Sequence, residues 1–230
     1  EGDRNIFFVG DSHMHQYAAG LQRHFPSIQF THLDNRCLYN TLSQCYAGKW
    51  QSSLLFIERK KEDWELLKTS KDVVIIGQSW GLLTTYFDPE TGREMRFDDI
   101  DRYVEFLVRE LVEVESFLGK GRIIVFGEVN RTNSVLQTMS CMSRPFVDIK
   151  KCKFAEKSFS VTFNEKMKEK LATQDIPFVS PTDATCGPKK CINVINNRPV
   201  YSDNAHLSIW GSRLIIGRVR EQLADLFGDQ

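Results

Sequence analysis

Three residues near the two ends of the chain have types and spacing suited to nucleophilic catalysis: Ser12 at the head, Asp203 and His206 at the tail. A serine hydroxyl is a weak nucleophile until a base takes its proton. In Tyr201-Ser202-Asp203-Asn204-Ala205-His206-Leu207-Ser208 a carboxylate stands three residues before a histidine. A tight loop there lets the carboxylate orient the imidazole, while the other ring nitrogen faces Ser12. Alone, a serine of this kind is more often a helix cap and an Asp-x-x-His a solvated turn. The two together, at opposite ends of a domain-sized chain, predict an acyl-transfer centre.

Such a centre needs elements that hold Ser12 in place. Ile6, Phe7, Phe8 and Val9 form a short apolar run closed by Gly10, the pattern of a buried strand in a parallel sheet. Asp11 and Ser12 are good helix caps, and residues 14–25 suit a helix. Ser12 is therefore expected where a strand becomes a helix. That places it at the carboxyl end of the sheet, where open α/β folds bind ligands, and beside backbone N–H groups that face developing negative charge.

Gly10-Asp11-Ser12 and Asp203-x-x-His206 resemble the first and last sequence blocks of the SGNH/GDSL hydrolase superfamily. A narrower pattern is present as well: Gly-Asp-Ser-His at the start, cysteine pairs between, and Tyr201-x-Asp203-x-x-His206-Leu207-Ser208-x-x-Gly211-Ser212 at the end. It is similar to the extracytoplasmic SGNH domain of bacterial membrane O-acyltransferases, the O-antigen and peptidoglycan O-acetylases, in which a multi-helix membrane domain is fused to this one. The resemblance implies a three-layer α/β/α sandwich with a mostly parallel central sheet, SGNH-hydrolase-like and flavodoxin-like. It also implies an oxyanion hole built from the Ser12 N–H and two loops. In the superfamily the loop after the second strand supplies a glycine; here Asn35, Arg36 and Cys37 stand there. The third block normally reads Gly-x-Asn-Asp; here it is Gly77-Gln78-Ser79-Trp80, with Ser79 in the asparagine position. Asn35, Arg36 and Ser79 are thus the expected further contributors to the hole, with Gln78 or another backbone N–H as substitutes. Asp11, His13 and Trp80 are expected to line the pocket.

Composition bounds the rest. At 230 residues the alternation of strand-like and helix-like stretches favours one domain over residues 1–230. Thirty basic and thirty acidic residues cancel, with no basic stripe, which disfavours nucleic acid as a partner. No apolar run approaches the ~18 residues of a membrane span, and the start at Glu1 carries no leader pattern. The reading is a mature form or a domain excised from a larger membrane protein. The six cysteines fall as sequence neighbours, Cys37 with Cys45, Cys141 with Cys152 and Cys186 with Cys191. Disulfides in an oxidising compartment are favoured over zinc, because no Cys-x-x-Cys knuckle is present. Six cysteines allow fifteen pairings, so this connectivity is an expectation. Neither a metal nor a cofactor is required.

Along the chain, residues 27–33 alternate as a second strand, residues 48–70 suit a helix with Trp50, Leu54, Ile57, Trp64 and Leu67 towards one face, and residues 72–77 form the clearest strand. A turn at residues 88–92 suggests a small hairpin. Asp98 or Asp99 then caps a helix whose Ile100, Val104, Leu107, Leu111, Val114 and Leu118 repeat at steps of four and three. A strand at 122–127 leads into a long polar loop, 128–153, read as a wall of the acceptor site. Asn130-Arg131-Thr132 is a glycosylation sequon by spelling only. A helix at 159–172, a short strand at 176–180 and a closing helix at 207–227 complete the order.

The expected chemistry is serine-dependent acyl transfer through an acyl-Ser12 intermediate, and the resemblance implies that the acyl group is acetyl. The resemblance favours a hydroxyl of a cell-surface polysaccharide as acceptor and an attached membrane acyltransferase domain as the source of the acyl group. It places the chain in the periplasm or another extracytoplasmic space, tethered to the inner membrane. A carbohydrate O-acetyl esterase is the first alternative, because one triad serves both outcomes. A non-catalytic glycan- or partner-binding domain is the second, favoured by the altered oxyanion blocks.

Overall fold

The structure, a computed structural model, describes residues 4–34, 62–82, 85–87, 94–130 and 154–228. Its centre is a five-stranded sheet of β1 (Arg4–Gly10), β2 (Ile28–Asp34), β3 (Val73–Ile76), β6 (Ile123–Phe126) and β8 (Phe178–Val179), in the order β2-β1-β3-β6-β8. Every neighbouring pair is parallel. Side chains alternate across a strand, so a strand buried on both faces is apolar throughout. Phe7, Val9, Val74, Ile76, Ile123 and Val125 face one core; Ile6, Phe8, Ile75, Ile124 and Phe126 face the other.

The first core is covered by α3 (residues 62–70), α4 (Ile100–Leu118) and α5 (Phe159–Ala172), through Trp64, Leu67, Leu107, Leu111, Phe163 and Met167. The second is covered by α1 (Ser12–His15), α2 (Ala18–His24), α7 (Ile209–Arg218) and α8 (Arg220–Phe227), through Met14, Leu21, Ile215, Ile216, Leu223 and Phe227. Three layers result, as the sequence predicts. Smaller antiparallel pairs join β4 (Thr85–Phe87) to β5 (Glu94–Arg96), β7 (Phe154–Glu156) to β9 (Lys190–Ile192), and β10 (Val194–Ile195) to β11 (Arg198–Pro199). A short helix, α6 (Pro181–Thr185), follows β8.

Several expectations are refined. Residues 14–25 do not form one helix; it breaks between α1 and α2 at Gln16 and Tyr17, with the Tyr17 N–H tightening onto the Met14 carbonyl. The closing helix likewise splits at Val219, and it begins at Ile209, where the Ser208 hydroxyl accepts the Gly211 N–H. Asp99, not Asp98, caps α4 by accepting the N–H groups of Asp101 and Arg102. Asn130 is wholly buried and accepts from the Ser158 N–H and hydroxyl, so its side chain is a structural bond and not a glycan site. Trp50, Leu54, Ile57 and the 88–92 turn lie outside the described residues.

One cation ties three elements together. The Arg122 guanidinium donates to the carbonyls of Asp72 and Leu67 at 2.7 Å each and of Leu118 at 2.7 Å, joining the ends of α3 and α4 to the entry of β3. Half-burial lowers its pKa, with Asp72 pulling the other way. Replacing Arg122 by methionine keeps the stem but removes these charged donors. We expect a loss of about 2–3 kcal/mol, read as a lower urea midpoint at unchanged slope.

Candidate active site

In a sheet ordered β2-β1-β3-β6-β8 the strand order reverses at β1, with β2 added on one side and β3 on the other, and the crevice at the carboxyl ends of β1 and β3 is where such folds take ligands. Ser12 stands there, one residue beyond Asp11 at the end of β1. Asp11 is buried, and its two carboxylate oxygens hold both sides of the crevice. Oδ1 accepts the His13 N–H at 2.8 Å, capping α1, and Oδ2 accepts the Ser79 N–H at 3.2 Å from the segment after β3. Ser12 itself is exposed.

The tail reaches this point by two devices. Gly20 on α2 lets α7 approach closely: its N–H donates to the Ser212 hydroxyl at 3.0 Å, and a Cβ there would stand 2.5 Å from the Ser212 carbonyl. Gln16, in the break between α1 and α2, donates to the His13 carbonyl at 2.7 Å and accepts the Leu207 N–H at 2.7 Å. The 201–207 loop is closed at its base by the Tyr201–Leu207 bridge and by the Ser202 N–H on the His206 carbonyl.

Within that loop Asp203 Oδ1 accepts the N–H groups of Ala205 and His206 at 2.8 and 2.7 Å, and Oδ2 lies 2.8 Å from His206 Nδ1. His206 Nε2 lies 2.9 Å from Ser12 Oγ. A carboxylate only accepts, so the proton belongs on Nδ1, and Nε2 is left to accept the Ser12 hydroxyl proton. Burial pushes the Asp203 pKa up, but the N–H groups of Ala205 and His206 together with the imidazole outweigh it and leave the carboxyl below its ordinary value. The His206 ring rests against that of His13, with centroids 4.6 Å apart. His13 is buried, with Nδ1 3.6 Å from Asp11 Oδ1.

The other expected site residues divide. The Ser79 N–H donates to Asp11 at 3.2 Å, so the backbone of this residue positions the β1 exit. Trp80 does not line a pocket. It is wholly buried, donates from its indole nitrogen to the Phe126 carbonyl at 2.9 Å and stacks on Phe163. Asp11 and His13 are likewise buried beneath Ser12. Asn35 and Arg36 lie outside the described residues, as do Cys37, Cys45, Cys141 and Cys152. Cys186 and Cys191 form a disulfide, the pairing expected for them, beside the β7–β9 ladder. Gln78 is buried with its side-chain nitrogen unpartnered among the described residues. Among those residues no group of three or more histidines, cysteines or carboxylates is arranged to hold a metal ion.

Gln16 is a residue the sequence reading missed. It carries no motif signal; only the fold reveals that one amide joins the helix after Ser12 to the loop of His206. Gln16→Leu leaves the Leu207 N–H without its acceptor. We expect hydrogen exchange at that amide to quicken by about tenfold, the size of one lost bond, with the core amides of β3 unchanged.

A model of the SGNH domain (fused to AT3 domains) matches residues 1–221. No curated protein matches the chain. The periplasmic domain of a lipopolysaccharide acetyltransferase from Salmonella ser. Paratyphi A superposes with a TM-score of 0.71 at 16% identity, covering 96% of this chain and 84% of that one. A carbohydrate acetylesterase from Sinorhizobium meliloti superposes with a TM-score of 0.52 at 13% identity, covering 97% and 100%. At such identities the likeness is one of fold. No described helix is long and apolar enough to cross a membrane. By its match over nearly its whole length, the chain belongs to the SGNH domain family, the domain found fused to AT3 domains.

Proposed function

We propose that this chain catalyses serine-dependent acyl transfer, with Ser12 as nucleophile, His206 as general base and Asp203 as the group that orients the imidazole. The observation that carries the reading is the unbroken run of contacts, 2.9 Å from Ser12 Oγ to His206 Nε2 and 2.8 Å from Nδ1 to Asp203. His206 takes the hydroxyl proton as Oγ attacks the acyl carbonyl, and the Asp203 carboxylate stabilises the imidazolium. In this reading the tetrahedral oxyanion is held by the Ser12 N–H at the start of α1. As the intermediate collapses, His206 returns the proton to the departing oxygen and leaves acyl-Ser12. A sugar hydroxyl then attacks that ester in the transferase, its proton passing to His206 and on to Ser12 as the product leaves.

Family membership supports the transferase, with acetyl the favoured acyl group, a cell-surface polysaccharide the acceptor and an attached AT3 membrane domain the source of the acyl group. It supports an extracytoplasmic position for the domain. Water in place of the sugar gives a carbohydrate esterase; the exposure of Ser12 favours that second reading, since water reaches the site freely. One experiment tests both against a binding module. A fluorophosphonate is expected to label Ser12, and incubation with a chromogenic acetyl ester, with and without oligosaccharide, follows the acetyl group to sugar or to water. No label and no turnover would leave a glycan- or partner-binding domain.

The pH behaviour follows from Asp203. A carboxyl whose folded pKa is depressed contributes stability above its unfolded pKa, near 3.9, and that contribution disappears as pH falls through the lower folded value. The loop is therefore expected to keep its shape down to about pH 4. Asp203→Asn removes the charge at every pH and is expected to lower kcat by about 10²–10⁴, measured with the same acetyl ester.

A further inference from the structure

A second concavity opens on the same rim of the sheet, between the amino-terminal ends of α4 and α5. It measures about 300 Å³, at the small end of ligand sites. The rings of Phe97, Tyr103 and Phe159 form its apolar surface, and Asp98, Asp99 and Thr162 its polar edge. Phe159 is 44% exposed, one of three large apolar side chains so exposed among the described residues. Its ring rests on Gly81, coming within 3.2 Å of where a Cβ would be. Gly81 is two residues from Ser79, which is bonded to Asp11 beside the nucleophile. The Glu128 carboxylate, buried at the end of β6, fixes this connection by accepting the Gly81 N–H at 3.1 Å and the Ser160 hydroxyl at 3.2 Å. The cavity and the Ser12 crevice are thus joined by one short, anchored stretch of backbone.

We infer that this cavity is a saccharide subsite that takes a neutral pyranose unit of the acceptor, its C–H face on Phe159 and its hydroxyls donating to Asp98, Asp99 and Thr162. An aromatic platform edged by acceptor oxygens matches a polyol with one apolar face and outward hydroxyls. An anion is repelled by the two carboxylates. A cation is disfavoured because Arg102 and Lys166 already lie close to Asp99, and Lys166 pairs with Asp101. A bare acyl chain would leave the carboxylates facing hydrocarbon. That the unit belongs to the acceptor rests on the acyl-transfer reading; the binding itself does not.

The test titrates the chain and its Ser12→Ala variant with methyl glucoside, galactoside, rhamnoside and N-acetylglucosaminide, with tetramethylammonium as the competing class, and reads Kd by NMR. At least one pyranoside is expected to shift the resonances of Phe159 and Thr162, equally in both proteins. Phe159→Ala is expected to weaken that Kd by about three- to tenfold, the size of one ring contact. Asp98→Asn, a surface change on which no described hydrogen bond depends, is expected to weaken it by a similar factor and serves where the first variant disturbs α5. Silence to every pyranoside, binding that survives both variants, or a response to tetramethylammonium alone would overturn the assignment. Pyranoside binding together with an active Ser12→Ala enzyme would keep the subsite and remove the Ser12 mechanism, so the two failures read differently.

Discussion

Replacing Ser12 by alanine is expected to lower kcat/KM for a small aryl acetate by about four to six orders of magnitude, with the thermal midpoint unmoved. The reason for the separation is local. The Ser12 hydroxyl is exposed and its one side-chain bond among the described residues is to His206, so nothing in either core depends on it. Its backbone stays fixed by the Asp11 cap, which does not involve the hydroxyl. His206→Ala is expected to lose a comparable factor, because without Nε2 the serine keeps its proton. The combination is the sharper measurement. Groups that act as one unit are not additive, so Ser12→Ala/His206→Ala should be no slower than either single variant. Losses that multiply would mean that the 2.9 Å contact is not the path of the proton. A residual rate above that of water is expected to remain, because the helix N-terminus and the crevice are intact.

How much of this was legible in the sequence depends on the range over which each feature is determined. The strand at Ile6–Val9, the α4 stripe from Val104 to Leu118 and α5 from Phe159 to Ala172 follow from periodicity, which is local, and the structure has them there. The breaks at Gln16 and Val219 were not legible. Both lie inside good helical patterns and arise because α2, α7 and α8 must bend to pack on the same core as β1. Gln16 shows this best, since its partners lie 3 and 191 residues away in sequence. The Ser12, Asp203 and His206 pattern was readable because the Asp-x-x-His spacing encodes a compact loop. What faces that loop was not: Trp80 looked like a pocket residue by position, yet its large apolar ring is better buried against Phe163 with its single N–H satisfied. Ser79 was read as an oxyanion donor by alignment of glycines. Its N–H meets a buried carboxylate one residue from the nucleophile, a pairing that only three-dimensional proximity reveals.

Gly10→Ala is expected to be the most damaging single substitution for folding, and the geometry of the crevice explains why. Gly10 has φ +155°, a conformation side chains rarely adopt, and a Cβ on it would stand 1.6 Å from the Gly77 carbonyl oxygen and 2.8 Å from Met14 Cβ. Neither obstacle can swing aside. The carbonyl belongs to the exit of β3, whose Gly77 N–H is bonded to the Val9 carbonyl at 3.0 Å, and Met14 is wholly buried. Relief requires β1 and β3 to part at their carboxyl ends, which breaks the Asp11–Ser79 bond and displaces Ser12 from His206. Backbone strain and overpacking together are expected to lower stability by about 4 kcal/mol or more, a large share of the about 5–15 kcal/mol a domain has. Gly211→Ala meets the Val200 carbonyl at 1.9 Å at the base of the His206 loop and belongs to the same class. Gly187→Ala is the control: its nearest neighbour, the Lys190 carbonyl, is 3.8 Å away, and a change within about 0.5 kcal/mol is expected. Urea unfolding of the three variants separates the two cases. A Gly10→Ala protein as stable as Gly187→Ala would mean that β1 and β3 do not meet at these glycines. The switch point would then have to be built differently from the crevice in which Ser12 and His206 come together.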